Sequence, residues 1–411
     1  MNKDFDFIIN NEMRVLHVLY QSLPDVAGSS IRSRDIMDSQ FHAGICPIAI
    51  TSPFQEPAKK GEKEEIIKDI KYYRTYSGKE NEKVTEKRSS VSVQIKKFLR
   101  LFTFVTTTIR VAKKENVDII HAHATFFCGI AGVLTSTLTH KPCVYEIRSI
   151  WFERLKNRKI IFQIICFLEK FAAKHSDYII AINEKLRNDI STRFSIKKDR
   201  IVIVNNAVNL TLIPKELKSP SNKKHEEIVF GYVGNFNEHE NIDLLIDCFD
   251  ELRKLGYDNK LILVGDGILY SSVKKIIQGK NLTNIDLIGK VKPDEIPQYY
   301  EKIDIIIIPR KRNKITETVT PLKPLEALAY KKIVMVSNIS GIRDLIEEPH
   351  VLFFEPTKED IIEAIKNMIN SYNKHVSKVE KSYEYIVNNR SWQKNVEIYK
   401  ALYINLLKKS K

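Results

Sequence analysis

The stretch Glu317-Thr-Val-Thr-Pro-Leu-Lys-Pro-Leu-Glu326-Ala-Leu-Ala-Tyr330 separates two apolar segments, Ile303 to Pro309 and Ile333 to Ser337. Apolar runs of this length predict buried strands. Two prolines, Pro321 and Pro324, fix φ in the connection and suit the first turn of a helix, which we predict to end near the last residue of the stretch. The order strand, helix, strand is typical of an α/β domain.

Two charged residues give the start of this helix its chemistry. Free backbone N–H groups at a helix start attract anions, and Lys323 adds a full positive charge beside them. Glu326 lies in the same first turn, where its carboxylate can accept a hydrogen bond from a ribose hydroxyl. The alternative is that Glu326 does no more than complement the helix dipole.

These residues resemble a known family, the retaining, nucleotide-sugar-dependent glycosyltransferases of family 4, also called glycosyl transferases group 1. Its signature is a pair of glutamates separated by seven residues, the second in a segment like Pro-x-x-Glu-Ala-x-Ala. Here the second glutamate is Glu326, Thr318 stands at the position of the first, and Glu317 is the nearest acid. The resemblance implies a catalytic Glu317 and donor contacts from Thr318, Lys323 and Glu326. The residues of this stretch are similar to those of a subgroup of the family that is found in surface-polysaccharide gene clusters.

A chain of 411 residues is too long for one typical core, and two domains of roughly 150–200 residues each are expected. The resemblance implies an α/β protein of the GT-B fold, with two doubly wound Rossmann-like domains facing across a cleft. We place an acceptor-binding domain at residues 1–205, a linker rich in Pro, Lys, Ser and Asn at 206–226, and a nucleotide-sugar-binding domain at 227–391. The last helix, within 392–411, is expected to pack back on the first domain.

Basic side chains exceed acidic ones, 66 to 51, and most of the excess lies in the first half. Residues 1–205 carry 34 basic and 23 acidic side chains. Such a surface suits an anionic lipid membrane, an anionic substrate or nucleic acid. Nucleic acid is disfavoured, because the predicted strand faces lack the interleaved aromatic and basic residues of single-strand binders.

The most basic window runs from Lys87 to Lys114 and has eight basic residues, no acidic one and many apolar ones between them. One interpretation is a solvated helix that packs on the sheet. The other is a basic amphipathic helix on an anionic membrane surface, together with the run Arg154–Lys159. Residues 55–90 before it are highly charged and are expected to form an insertion or mobile loop with one short strand near Lys71–Tyr76.

Candidate residues of the first domain follow its predicted strands. Gly28 lies between a first strand and the helix that Arg32 opens, and a glycine there lets the backbone approach a ligand closely. An ordinary turn is the alternative. His121 and His123 end another strand and point to the same side, so both can line a cleft. The resemblance places the Gly28 loop near the donor and His123 near the anomeric carbon, as a catalytic residue.

The next strand ends in Glu146 and Arg148, with Trp151 close behind. Charged groups beside an aromatic ring suit an acceptor sugar, and we predict an acceptor site from these three residues and Arg32. The alternative is a structural ion pair between Glu146 and Arg148. The residues alone do not decide between the two.

In the second domain, the family's segment Gly-Arg-x-x-x-x-Lys-Gly, which holds the donor diphosphate, is altered. Asn235 and Glu240 stand where the resemblance expects the Arg and the Lys. The remaining candidates for the diphosphate are Arg310, Lys323 and the helix start. The resemblance also implies that the backbone around Gly289 and Val291 pairs with the nucleobase.

The sequence also excludes several classes of protein. The cysteines are odd in number and scattered, which argues against a disulfide framework or a zinc site: Cys46, Cys128, Cys143, Cys166 and Cys248. The sequence contains no Gly-x-Gly-x-x-Gly, so a dinucleotide dehydrogenase is disfavoured, and no cofactor or metal is expected. With no signal pattern and no apolar run long enough to span a bilayer, we expect a cytoplasmic protein, with the option of peripheral attachment to the inner face of the cell membrane.

We therefore predict a metal-independent, retaining glycosyltransferase of the hexosyltransferase type. It would move a sugar from a nucleotide-sugar to a hydroxyl of a saccharide or lipid-linked saccharide. Two alternatives stay open. A nucleotide-sugar epimerase of the same fold would turn over donor without acceptor, and a basic adaptor without catalytic activity would bind nucleotide or membrane only.

Overall fold

The computed structural model describes residues 13–25, 28–56, 61–76, 91–155 and 157–409, without the side chains of residues 91–98 and Arg154. The chain divides into two compact units. Unit 1 lies within residues 1–205 and 395–411, and unit 2 comprises residues 206–394.

Unit 1 is built on an eight-stranded sheet with the order β3-β4-β2-β1-β5-β6-β7-β8. Its strands are β1 Met13–Leu19, β2 Ile45–Thr51, β3 Glu64–Ile67, β4 Ile70–Arg74, β5 Ile119–His123, β6 Cys143–Ile147, β7 Tyr178–Ala181 and β8 Ile201–Ile203. Its helices are α1 Gly28–His42, α2 Val91–Lys114, α3 Phe126–Thr139, α4 Lys159–His175, α5 Glu184–Phe194 and the C-terminal helix, α13 Trp392–Lys409. All neighbouring strands are parallel except β3 and β4. The sheet is nearly continuous in apolar residues, as expected where both faces are covered.

The two faces of this sheet differ in chemistry. One face packs its apolar residues, such as Leu16 and Ile120, in a core with α2, α3 and α4. The opposite face carries His17 and His121, which contact side chains of α1 and α13. Because residues alternate along a strand, a buried polar layer and an apolar core can share the same strands.

Two sequence predictions for this unit need correction. The segment predicted as a loop with one strand contains two, β3 and β4, which pair in antiparallel register; residues 57–60 and 77–90 of that segment lie outside the described residues. Helix α1 begins at Gly28 and not at Arg32. A side chain at Gly28 would meet no atom within 4 Å, so its backbone makes no close approach inside the protein.

Unit 2 is a second doubly wound unit with a six-stranded, all-parallel sheet of order β11-β10-β9-β12-β13-β14. Its strands are β9 Phe230–Val233, β10 Leu261–Val264, β11 Ile285–Gly289, β12 Ile305–Ile308, β13 Ile333–Ser337 and β14 Leu352–Phe354. Its helices are α6 Ile242–Lys254, α7 Tyr270–Gly279, α8 Ile296–Lys302, α9 Lys323–Ala329, α10 Ser340–Arg343, α11 Lys358–Val376 and α12 Val379–Asn389. The prediction of two doubly wound α/β units is confirmed.

The segment that opened the sequence analysis folds as predicted in outline. Helix α9 lies between β12 and β13, with a proline in its first turn. It is only seven residues long. Within the parts of the chain that the structure describes, every helix is too short or too polar to span a bilayer.

Candidate functional site

Three buried histidines meet on one face of the unit 1 sheet. Strands β1 and β5 pair in a register that sets His17 opposite His121. Two residues further along β5, His123 points to the same side, and the rings of His121 and His123 stack with centroids 4.1 Å apart. His17 Nδ1 lies 2.8 Å from His123 Nε2. The structure therefore brings the predicted pair together and adds His17 to it.

A chain of hydrogen bonds fixes the tautomers of His123 and His17. Arg148 Nη2, which can only donate, lies 2.5 Å from His123 Nδ1, so that nitrogen accepts and Nε2 carries the proton. His123 then donates to His17, and His17 Nε2 donates to Gln40 Oε1 at 2.8 Å. Gln40 donates to the Tyr403 hydroxyl, which lies 2.7 Å from His121 Nδ1 and is hydrogen-bonded to it.

Burial keeps the three imidazoles uncharged. It lowers the pKa of His17 to about 4. It also lowers the pKa of His121 and His123 well below the ordinary value. At neutral pH the cluster is therefore a set of oriented dipoles and not a set of cations.

Glu146 supplies the negative charge beside the histidines and is fully buried. Its carboxylate lies 3.0 Å from Arg32 Nε and 2.7 Å from Arg148 Nε, and it accepts a hydrogen bond from the Tyr399 hydroxyl at 2.8 Å. Burial alone raises the pKa of Glu146, but Arg32 and Arg148 outweigh it and hold that pKa well below its ordinary value. The ion pair between Glu146 and Arg148, left open by the sequence, is formed in this structure.

Among the described residues, the three histidines are also spaced closely enough to hold a metal ion. One possible ligand atom of each histidine lies within 4.8 Å of those of the other two. The sequence analysis expected no metal site and did not single out His17. The surroundings fit a cation poorly. Arg148 donates directly to His123, and Arg32 donates to Glu146, the carboxylate beside the histidines.

Trp151, the predicted acceptor aromatic, lies close to this layer in sequence but has a different partner. Its indole donates to Glu169 Oε1 at 2.7 Å, and its ring stacks on Phe126. Tyr145 donates to the other oxygen of Glu169 at 2.6 Å. Burial raises the pKa of Glu169 despite these hydrogen bonds. Trp151 is half-buried, so part of its ring remains accessible.

In unit 2 the two side chains predicted to bind the diphosphate, Lys323 and Arg310, lie against one carboxylate, that of Glu240. Lys323 Nζ lies 2.9 Å from Glu240 Oε1, and Arg310 Nε lies 3.7 Å from the same oxygen. Glu240 follows β9 and Arg310 follows β12, which are neighbouring strands, so the three side chains meet at the carboxyl ends of the sheet. This edge is where open parallel sheets bind ligands.

The electrostatics of this triad favour the charged form of Glu240. Burial raises the pKa of Glu240, but Lys323 and Arg310 outweigh it and hold the pKa below the ordinary carboxyl value. Burial lowers the pKa of Lys323, and Glu240 opposes that shift. The ammonium also lies 5.3 Å from the centre of the Tyr232 ring. Gly234, directly after β9, has φ of +152°, and a Cβ at that position would clash with the Lys323 side chain.

Glu317 and Thr318 form hydrogen bonds with residues outside the triad of Lys323, Arg310 and Glu240. Glu317 Oε2 accepts from the Ser340 backbone N–H at 2.9 Å, and Oε1 lies 3.3 Å from Arg312 Nε. Glu317 lines a polar pocket of about 360 Å³ with Arg312, Asn338, Ser340, Arg343 and Asp344. Thr318 is exposed, and its hydroxyl donates to backbone carbonyls of its own turn.

The other donor candidates occupy the same edge of the sheet. Glu326 is in the first turn of α9 and half-buried. Its backbone N–H already donates to the Leu322 carbonyl. Gly289 ends β11 with φ of +85°, and its carbonyl accepts from Gly265. Val291 packs against the neighbouring core.

Sequence reasoning missed four groups of the unit 1 layer: His17, Gln40, Tyr399 and Tyr403. His17 carried a usable signal, since it is a polar residue within an apolar strand. The two tyrosines did not, because they lie in α13, far along the chain from β5 and β6.

Comparison with known proteins matches each half of the chain to a glycosyltransferase family model. The model of glycosyl transferases group 1 matches residues 214–389, and the model of glycosyltransferase family 4 matches residues 65–212. An uncharacterized glycosyltransferase of Methanocaldococcus jannaschii is 23% identical over 317 residues, which are 74% of this chain and 82% of that protein. The Escherichia coli enzyme named UDP-Gal:alpha-D-GlcNAc-diphosphoundecaprenol alpha-1,3-galactosyltransferase is 26% identical over 309 residues, 72% of this chain and 78% of its own.

Among solved structures, the Anabaena protein HepE in complex with UDP superposes with a TM-score of 0.67 at 14% identity, over 95% of this chain and 99% of that one. At this identity the likeness shows the fold, which is GT-B. The chain therefore is a glycosyltransferase of the GT-B fold, and it belongs to family 4, the glycosyl transferases group 1.

Proposed function

We propose that the protein transfers a sugar, with retention of configuration, from a nucleotide-sugar to a hydroxyl of a saccharide or lipid-linked saccharide in the assembly of a surface polysaccharide. The observation that carries the donor half is the meeting of Lys323 and Arg310 at the carboxyl ends of β9 and β12. A diphosphate leaving group needs cations where its charge develops, and the position of these two supports them as candidates. HepE binds UDP on the same fold, which supports this choice of ligand.

Glu326 extends the same site toward the ribose. It lies three residues after Lys323, in the first turn of α9, so the two side chains project from one helix face. A carboxylate there would accept from a ribose hydroxyl while Lys323 holds the phosphate. Gly289 and Val291 remain our candidates for the nucleobase, and Thr318 for the donor sugar.

The acceptor half rests on the unit 1 layer. His123 presents a neutral ring at the end of β5, held by Arg148 and His17. Both of its ring nitrogens are hydrogen-bonded within the protein, so contact with a sugar hydroxyl requires that His123 exchange one of these partners. We assign Arg32, Glu146, Arg148 and Trp151 to the acceptor side, and Glu317 to the reacting sugar. The E. coli relative's name, with its lipid diphosphate acceptor, supports an acceptor of that kind.

The donor half is tested by thermal shift with UDP, ADP and GDP against their monophosphates. A ligand that binds only the folded state raises the melting temperature. We expect one diphosphate to stabilise the protein more than its monophosphate. Equal shifts for all nucleotides would contradict the assigned diphosphate site.

Transfer itself is tested by incubating the protein with nucleotide-sugars and saccharide acceptors and measuring released nucleoside diphosphate. Release that depends on acceptor supports transfer, and NMR of the new anomeric proton reports retention. Turnover of donor sugar without any acceptor product would favour the epimerase instead.

A further inference from the structure

Two aromatic residues follow neighbouring strands at the carboxyl edge of the unit 1 sheet. Phe126 lies three residues after His123, the last residue of β5, and begins α3. Trp151 follows β6, and its ring stacks on that of Phe126 with centroids 6.2 Å apart and planes inclined by 20°. Strands β5 and β6 pair with His123 opposite Glu146. The two rings therefore follow the same strand ends that carry the layer assigned to the acceptor.

One buried carboxyl group holds both aromatic residues. Glu169 of α4 is 2% exposed, and its Oε1 accepts from the Trp151 indole N–H at 2.7 Å and from the Phe126 backbone N–H at 3.0 Å. Its Oε2 is 2.6 Å from the Tyr145 hydroxyl, which donates to it. These three donors are uncharged, and burial raises the pKa of Glu169 despite them.

Capping of α3 does not by itself explain this use of a buried acid. Thr125 stands at the N-cap of α3, yet its side chain makes no capping hydrogen bond. A threonine at that position is able to cap a helix without the burial of a carboxyl group, which is costly away from a cation. In this protein Glu169 binds the first N–H of α3 from another helix, and the same oxygen binds the indole. The arrangement fixes the indole relative to Phe126.

The two rings have the chemistry of a surface that binds sugars. Phe126 and Trp151 are both half-buried, so part of each ring remains accessible. The face of an aromatic ring is negative, and the C–H groups on one face of a pyranose carry a small positive charge, so the two faces attract. An aromatic surface beside a few fixed polar groups is also the usual composition of a small-molecule site.

We propose that Phe126 and Trp151 form a stacking surface for a pyranose ring of the acceptor, and that Glu169 is the positioning residue that orients this surface. The inference rests on the proposed function, because it assigns the surface to the acceptor saccharide. The sequence predicted Trp151 as an acceptor residue, whereas Phe126 and Glu169 were not predicted. The stacking surface requires a sugar in its ring form, with one face of C–H groups.

Tryptophan fluorescence of the full chain tests binding without any transfer. The chain has two tryptophans, Trp151 and the fully buried Trp392, so we expect a response to saccharide from Trp151. The probes are the methyl β-glycosides of glucose, galactose and N-acetylglucosamine, and mannitol is the control polyol without a ring. At least one glycoside, but not mannitol, should change the emission. Trp151→Phe should remove the response, and Phe126→Leu should weaken binding by about fivefold or more. Emission that no glycoside changes, or that mannitol changes equally, would overturn the proposal.

The kinetics of transfer test the role of Glu169. Glu169→Gln keeps an oxygen that accepts from both N–H groups, whereas Glu169→Leu removes it. We expect the acceptor KM to rise by about fivefold or more in Glu169→Leu and Phe126→Leu, and by less than about twofold in Glu169→Gln. The matched control, Phe41→Leu, removes a 41% exposed ring elsewhere in unit 1 and should leave this KM unchanged. Affinity for nucleoside diphosphate should stay the same in all four variants.

The outcomes separate this inference from the function on which it rests. Transfer with an unchanged acceptor KM in folded Phe126→Leu and Glu169→Leu would overturn the inference and leave the function standing. A glycoside response that Phe126→Leu weakens, in a protein that transfers no sugar, would support the stacking surface and contradict the function. Equal losses of kcat and melting temperature in Glu169→Leu and Glu169→Gln, at constant KM, would overturn the positioning role.

Discussion

Replacing Glu240 with Gln should strengthen the binding of a nucleoside diphosphate. The carboxylate stands where the family resemblance expects a lysine, and it occupies the same Lys323 ammonium that we assign to the donor. The Glu240 side chain is only 5% exposed, so solvent screens it weakly. A bound diphosphate therefore meets a like charge at short range. Replacing the carboxylate with an uncharged amide removes this repulsion and should therefore strengthen binding.

The size of the penalty follows from geometry. Two oxygens that accept hydrogen bonds from one tetrahedral ammonium lie about 4.6 Å apart. Unit charges at that separation repel by about 1 kcal/mol in water and about 3.6 kcal/mol at the effective dielectric constant of a protein surface. Burial of Glu240 favours the upper part of this range. Since every 1.4 kcal/mol is a factor of ten, we expect Kd to fall by about tenfold or more in Glu240→Gln.

The assay is calorimetric titration of UDP and ADP into wild type, Glu240→Gln and Glu240→Lys. Glu238→Gln is the matched control, because it removes an equal charge from the same loop at an exposed position. We expect little change in the control and the largest gain in Glu240→Lys. The melting temperature of Glu240→Gln without ligand should fall, because Lys323 and Arg310 lose their shared partner.

Stability and affinity should thus move in opposite directions in Glu240→Gln. A folded variant that binds diphosphate no better than wild type would show that the diphosphate does not bind beside Lys323. Weaker binding would show that Glu240 contributes to the site by holding the cations in place. Either result refutes the electrostatic reasoning.

Three further predictions concern the remaining candidates. Glu326→Ala should weaken nucleoside diphosphate binding by about 1.5–3 kcal/mol, the usual range for a hydrogen bond to a charged group, as measured by the same titration; unchanged affinity in a folded variant would exclude a ribose contact. His123→Ala should abolish turnover and also cost about 1–3 kcal/mol of stability, because His17 and Arg148 lose a partner; activity that tracks the folded fraction would indicate a structural role alone. The free energy of unfolding should fall as pH drops from about 6.5 toward 4, because the lowered pKa of His17 means that the unfolded chain binds the extra proton. For His17 this amounts to about 2 kcal/mol between pH 7 and pH 5, and His17→Gln should make the pH dependence shallower by about one proton; an unaltered slope would mean that His17 is not buried neutral.

The apolar runs predicted most of both sheets, and the physical reason is visible in the structure. A parallel strand covered on both faces must be apolar at nearly every position, so Ile305 to Ile308 reads as buried without further information. Strand β3 was missed because it lies at the sheet edge and half of it is Glu64 and Glu65. An edge strand tolerates charge, which removes the apolar signal.

The unit 1 polar layer was only partly predictable. The spacing of His121 and His123 shows that they share a face, because that is a local property of a strand. The meeting of His17 with them depends on strand register, and the contact of Tyr403 depends on a helix at the other end of the chain. Long-range contacts of this kind leave no periodicity in the sequence.

The charged candidates of both sites are already paired in the structure. Lys323 and Arg32 were predicted to contact substrate, and the pairing of Arg148 with Glu146 was left open; each of the three is bonded to a buried carboxylate. Substrate binding at such groups is an exchange of partners, so its free energy is the difference between two sets of charge-assisted hydrogen bonds. Removing a carboxylate should then raise affinity for an anionic ligand while lowering stability, the reverse of what deleting an ordinary binding residue does. The sign of the change in affinity therefore distinguishes a site whose cations must leave a carboxylate to bind the ligand from a site whose cations are unpaired before binding.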